Sequence, residues 1–136
     1  MSAPLYLDTS AVLRAILENG TSPDIESRIR DATALITSRL SLVEVSRAFH
    51  RLRQLERNPE ARLADAEREV GALWARCELW ELTSAVCETA RHVAPGRPLR
   101  ALDALHLATF VLAREKISGL ELLTVDERLR DAAGAG

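Results

Sequence analysis

A chain of 136 residues, 47% hydrophobic and 28% charged, fits a single domain spanning residues 1–136 that can bury a core without disulfide or metal staples. No segment approaches the ~20 apolar residues of a membrane span, and the N-terminus lacks the basic and apolar segments of a leader, reaching an acid at Asp8; no membrane partner and a cytoplasmic location are therefore the default expectation. The net charge of −2 carries no nucleic-acid signal by itself. The basic residues are 17 Arg and one Lys, Lys116; guanidinium groups suit bidentate contact with phosphate or carboxylate, although codon bias is the plainer explanation. Cys77 and Cys87 have neither zinc nor disulfide-framework spacing and are expected to be reduced and structural.

In chain order, Pro4-Leu-Tyr-Leu-Asp8 predicts a strand ending at an acid. A helix follows over Thr9–Glu18, stopped by Asn19-Gly20, and Ser22-Pro23 opens a second one. Ala34–Thr37 is the second expected strand. The spacing of Leu42, Val45, Phe49 and Leu52 then predicts a helix over Arg39–Glu56 with one buried stripe. After Asn58-Pro59, another helix over Pro59–Glu78 carries Leu63, Val70, Leu73 and Trp74 inward. Leu79–Leu82 is an expected strand, Ser84–Ala94 a short helix, and Pro95-Gly-Arg-Pro98 a turn. Arg100–Arg114 is a very apolar helix, Glu121–Thr124 the last strand and Asp126–Ala132 the last helix. Trp74 and Trp80 are expected in the core. Strands alternating with helices predict an α/β fold around a parallel sheet, which binds ligands beyond the carboxyl ends of its strands.

Four acids occupy suggestive positions. Asp8 closes the first strand, and position alone leaves it either a ligand or the N-cap of the following helix. Asp103 shares the stretch Ala101–Ala113 with only two other polar side chains, His106 and Thr109. A helix apolar on nearly all sides is expected to be buried, and a buried carboxylate needs a partner, which favours metal binding or catalysis. Glu44 lies at the rim of the third helix's apolar stripe and by itself suits a surface pair with Arg47 or Arg51. Asp126 follows the last strand; Thr124-Val-Asp-Glu127 matches a capping box with Thr124 as the cap, so Asp126 alone suits a structural role at a helix start. His106, one turn from Asp103, is expected to be a hydrogen-bonded core histidine. His50 and His92 form no metal-ligand spacing with it.

The segments Tyr6-Leu-Asp-Thr-Ser-Ala11, Ser41-Leu-Val-Glu-Val45, Leu102-Asp-Ala-Leu-His-Leu-Ala108 and Leu123-Thr-Val-Asp126 together resemble the PIN-domain family, especially its VapC-like toxins. They occur in the family's order and span the chain. The resemblance implies a three-layer α/β/α sandwich with a central parallel sheet, and an endoribonuclease dependent on Mg²⁺ or Mn²⁺. It assigns the catalytic and metal-binding acids to Asp8, Glu44, Asp103 and Asp126, with Asp8 and Asp103 holding the main metal. Glu44 and Asp126 hold a second metal or position the attacking water. Thr9, Ser10 and Thr124 support them by hydrogen bonds. It further implies an RNA substrate, a homodimer and a VapB-like antitoxin as partner. Oxygen donors suit such cations, which acidify water and neutralise phosphate charge. Other readings fare worse. A haloacid-dehalogenase-type phosphatase needs an acid two residues after Asp8, where Ser10 stands, and a receiver domain needs a well-placed lysine. A non-toxin PIN nuclease in RNA processing, or a PIN fold kept as an RNA-binding module, remains the main alternative.

Overall fold

The computed structural model describes residues 2–135. Its sheet has four strands, β1 (Pro4–Leu7), β2 (Ala34–Ser38), β3 (Cys77–Trp80) and β4 (Glu121–Leu123), all parallel in the order β3-β2-β1-β4. Parallel strands require crossovers, and here they are helical. α1 (Thr9–Leu17) and α2 (Pro23–Asp31) join β1 to β2. α3 (Arg39–Leu55) and α4 (Glu60–Arg76) join β2 to β3, and α5 (Ser84–Ala90) and α6 (Ala101–Lys116) join β3 to β4. α7 (Glu127–Ala135) closes the chain.

Strand alternation divides the core in two. Leu5, Leu7, Leu35 and Leu123 face one layer, where they meet Ala11 and Val12 of α1, Ile29 of α2, Val45 and Phe49 of α3, and Leu63, Val70 and Leu73 of α4. Tyr6 and Ile36 face the other and pack on Leu107, Phe110 and Ala113 of α6 and Leu129 and Ala132 of α7. The result is the expected three-layer α/β/α sandwich.

Most boundaries fall within two residues of the sequence expectation. β3 begins two residues earlier than predicted, because Cys77 pairs with Leu35 and Trp80 with Ser38; pairing to β2, not local pattern, ends α4. Trp74 and Trp80 are only half-buried. Both cysteines are free. Cys77 packs against the first core, whereas Cys87 is exposed and takes no part in one.

The topology also explains where functional groups can gather. Successive strands step outward from β1 to β3, then the chain crosses to β4 on the other side of β1. Loops leaving β1 and β4 therefore diverge, opening a crevice at their carboxyl ends. α1, α3 and α7 start at that edge because they follow strands. The first turn of α6 also lies there, where the charges of Asp126 and Asp8 reach Asp103.

Candidate active site

All four acids lie at this edge. Asp8 directly follows β1, Glu44 is in the second turn of α3, Asp103 is in the first turn of α6, and Asp126 separates β4 from α7. Asp8 is 6% exposed. It occupies the N-cap position of α1 but makes no side-chain cap. Its Oδ2 instead accepts hydrogen bonds from Ser10 Oγ at 2.5 Å and Thr124 Oγ1 at 2.6 Å. Ser10 Oγ accepts in turn from the Val125 amide at 3.1 Å, and Thr124 Oγ1 from the Asp126 amide at 3.0 Å. Two hydroxyls thus tie the end of β1 to the end of β4 while fixing one carboxylate oxygen. No hydrogen bond to Oδ1 is made by the described residues; its nearest cation-forming group is His106 Nε2 at 3.9 Å.

Asp126 is itself the cap of α7. Its Oδ1 accepts from the amides of Arg128 at 2.9 Å and Leu129 at 3.4 Å. The expected capping box with Thr124 as the cap is therefore corrected. Thr124 is too far back, at the end of a strand whose register with β1 is fixed at Leu7 and Leu123, and its hydroxyl is committed to Asp8.

The expectation that Asp103 is buried is also corrected. Burial of α6 begins at His106; Ala101 and Leu102 are exposed and Asp103 is half-exposed. The first turn projects past the sheet's edge, so the apolar run does not enclose it. Burial raises the Asp103 carboxyl above the usual aspartate range, and the negative charges of Asp126 and Asp8 raise it further. A backbone hydrogen bond at Arg100 and the Arg128 guanidinium oppose this. Three aspartates therefore share one electrostatic neighbourhood.

Glu44 does not pair with Arg47 or Arg51. Its Oε1 accepts from His106 Nε2 at 2.6 Å and Thr9 Oγ1 at 2.7 Å. Burial pushes this carboxyl up, but the bonds from His106 and Thr9 and the imidazole's proximity outweigh it, so the group sits below the usual glutamate range. His106 is 1% exposed, and its Nδ1 lies 2.9 Å from the Tyr6 hydroxyl. Beneath Thr9, Ser41 Oγ bonds Thr37 Oγ1 at 2.8 Å, and Thr37 donates to the Leu7 carbonyl at 2.7 Å.

The sequence does not single out Tyr6, Thr37 or Ser41, and it marks His106 only as a core residue. A signal existed. Asp8 stands just past the end of β1, two residues after Tyr6, and His106 and Asp103 are three apart on one helix. Side-chain periodicity makes Tyr6–His106 the inner rung and Asp8–Asp103 the outer rung of one ladder.

The donor set is all oxygen: three aspartates and the remaining oxygen of Glu44. That chemistry fits a hard divalent cation such as Mg²⁺ or Mn²⁺. Among the described residues no three His, Cys, Asp or Glu side chains form a ready-made metal cage. An open arrangement suits Mg²⁺, which keeps several waters and takes one or two carboxylates.

Comparison with known proteins gives a consistent picture. The family model described as PIN domain matches residues 5–135. Ribonuclease VapC45 of Mycobacterium tuberculosis is 34% identical over 132 residues, which span 96% of this chain and 90% of that one. Ribonuclease VapC35 of the same species is 35% identical over 133 residues, again 96% and 90%. Among solved structures, PAE2754 from Pyrobaculum aerophilum superposes with a TM-score of 0.66 at 22% identity, covering 96% of this chain and 79% of that one. A toxin–antitoxin complex from Klebsiella pneumoniae gives 0.63 at 20% identity, covering 90% and 86%. These last two likenesses concern the fold.

Proposed function

This chain belongs to the PIN-domain family, and from that premise we propose that it is a metal-dependent endoribonuclease, the toxin of a toxin–antitoxin pair, acting in the cytoplasm. The observation that carries the reading is the convergence of Asp8, Asp103 and Asp126 at the crevice between β1 and β4, where each raises or shares the negative potential. Carboxylates kept this close are costly in their ionised form; Arg128 offsets part of that cost at Asp103, and a cation would relieve more. The names of the similar ribonucleases support RNA as the substrate. The antitoxin complex among the fold neighbours supports a VapB-like partner, and the family resemblance supports a homodimer.

In this reading Asp8 and Asp103 hold Mg²⁺ or Mn²⁺, with Glu44 and Asp126 holding a second ion or orienting the attacking water. When bound, the cation supplies an acidified water and offsets charge on the phosphate oxygens. The chain's own contribution is orientation. Ser10 and Thr124 fix Asp8 Oδ2 and leave Oδ1 without a hydrogen bond, while the α7 amides fix Asp126 Oδ1 and leave Oδ2. Thr9 and His106 treat Glu44 the same way. Arg128, within electrostatic reach of Asp103, is available to a phosphate. Attack of water on phosphorus with cleavage of the bond to the 3′ oxygen, which takes up a proton as it leaves, gives a 5′-phosphate and a 3′-hydroxyl.

The test is cleavage of RNA by the purified chain. We expect cleavage that requires Mg²⁺ or Mn²⁺, stops in excess chelator, and falls sharply in Asp8→Asn and Asp103→Asn. Undiminished cleavage in chelator sinks the metal mechanism, and near-normal activity of Asp103→Asn sinks the ligand assignment.

A further inference from the structure

The buried centre of the site is a histidine withdrawn from solvent, whose Nε2 lies against Glu44 and 3.9 Å from Asp8 Oδ1. His106 lies between Tyr6, on the core side, and Glu44, on the site side, at 2.9 and 2.6 Å. The hydrogens can be assigned from the partners. An ionised carboxylate only accepts, so Nε2 must carry a hydrogen for Glu44. Thr9 has one hydroxyl hydrogen, and its bond at 2.7 Å to the same Glu44 oxygen takes it; its contacts to His106 Nε2 at 3.3 Å and Ser41 Oγ at 3.4 Å are secondary. The Tyr6 hydroxyl, fully buried and 2.9 Å from Nδ1, buttresses the far side of the ring.

Both donors therefore converge on Oε1 and leave Oε2 without a hydrogen bond among the described residues. The imidazole is also braced by aromatic neighbours. Its ring packs edge-on against Tyr6, with centroids 6.1 Å apart, and Tyr6 packs the same way on Phe110. A change of the imidazole's tilt would move Glu44 with it.

We propose that His106 is a positioning residue of this site: with Thr9 it pins Oε1 of Glu44 so that Oε2 alone is presented to the crevice, and Tyr6 holds the imidazole in the orientation that does so. The proposal rests on the reading that the acids bind a divalent cation and RNA. A histidine kept merely to fill the core would not place its one hydrogen donor on an acid at the mouth.

The experiment uses the whole chain, four single variants and one double: His106→Phe, which fills the space without a donor; His106→Gln, whose amide nitrogen falls near the place of Nε2; Tyr6→Phe; Glu44→Gln; and Glu44→Gln combined with His106→Phe. Mn²⁺ affinity is measured calorimetrically without RNA, kcat and KM are measured on an RNA oligonucleotide, and thermal unfolding is followed for each. Loss of an outer-shell partner costs about 10–100-fold in metal affinity or activity. We expect His106→Phe to lose that much in Mn²⁺ affinity or kcat with KM within about twofold, His106→Gln to recover most of it, and Tyr6→Phe to fall between. In a Glu44→Gln background, His106→Phe is expected to add no further loss, because it acts through Glu44. A folded His106→Phe with wild-type affinity and kcat overturns the proposal, as does fully additive loss in the double variant. If His106→Phe does not fold, His106→Gln takes its place: it must outperform Tyr6→Phe, and the reverse order is equally fatal. Wild-type protein that binds Mn²⁺ but cuts no RNA counts against the functional reading alone, since the affinity series still decides the role of His106. Wild-type protein that does neither ends both.

Discussion

Two of the acids act on the fold in opposite directions. Glu44 is held below the usual glutamate range, so its ionised form is better accommodated in the native state than in the unfolded chain. Its contribution is present above the unfolded value, about 4.3, and is lost as pH falls through the lower folded value. Asp103 is held above the usual aspartate range. The stability linked to it is complete below the unfolded value and is lost as pH rises through the folded one, so at neutral pH its charge is a net cost to the metal-free protein. Glu44→Gln is therefore expected to lower the Tm in chelator at pH 7 by roughly 3–10 °C, from loss of charge-assisted bonds worth about 1–3 kcal/mol. Asp103→Asn is expected to raise it by roughly 1–3 °C, a small figure because the group is half in water. Both are expected to reduce cleavage. A Tm that falls in Asp103→Asn would show that its carboxylate has a structural partner the cluster does not provide. The sequence could not distinguish these two signs. It marks Asp103 as an acid in an apolar helix, but only the helix's overhang beyond the sheet decides how much of it water reaches. It marks Glu44 as a rim residue, but its partner His106 lies 62 positions away.

At the level of elements, Asp126 shows how one side chain can serve a helix and a site together. One oxygen caps α7; the other is left for the crevice. The two roles can be separated, because Asn caps nearly as well as Asp whereas Ala does not. Asp126→Asn is expected to leave the Tm within about 2 °C of the parent and still weaken Mn²⁺ binding. Asp126→Ala is expected to lose the metal effect and also about 1 kcal/mol, or roughly 3–5 °C. Equal melting of the two variants would mean that the cap contributes nothing to α7, which is anchored anyway by the buried Leu129 and Ala132. Strands and helices were legible here because their periodicities are local. Which of Thr124 and Asp126 caps was not, since both are good caps two residues apart and the choice depends on where pairing of β4 with β1 stops. The start of β3 was hidden for the same reason: α4 could continue by its own pattern, and β2 stops it.

At the scale of the whole molecule, no helix among the described residues is long and apolar enough to cross a membrane, and a toxin ribonuclease needs restraint. The acidic crevice offers the means. An Arg side chain from a partner could pair bidentately with the outward carboxylate oxygens and compete with the cation. Two of the chain's exposed large apolar residues, Val43 at 56% and Leu102 at 47%, directly adjoin Glu44 and Asp103 in sequence. A partner whose cation enters the crevice would meet apolar surface at its lip, a combination that suits an amphipathic segment. The family resemblance, rather than the geometry, names this partner as an antitoxin encoded beside the chain. The expected outcome is that the wild-type protein expressed alone arrests growth, that Asp8→Asn relieves the arrest without loss of soluble protein, and that coexpression of the adjacent small gene protects. Asp8 is the informative position because Ser10, bonded to the Thr124 hydroxyl and the Val125 amide, already holds the strand ends together; an Asn at position 8 keeps the shape and removes the charge that both metal and arginine would seek. Growth curves of the three strains, with expression checked by immunoblot, decide the matter. Normal growth with abundant, soluble wild-type protein would turn the reading to a PIN nuclease of RNA processing, with the roles of the four acids unchanged.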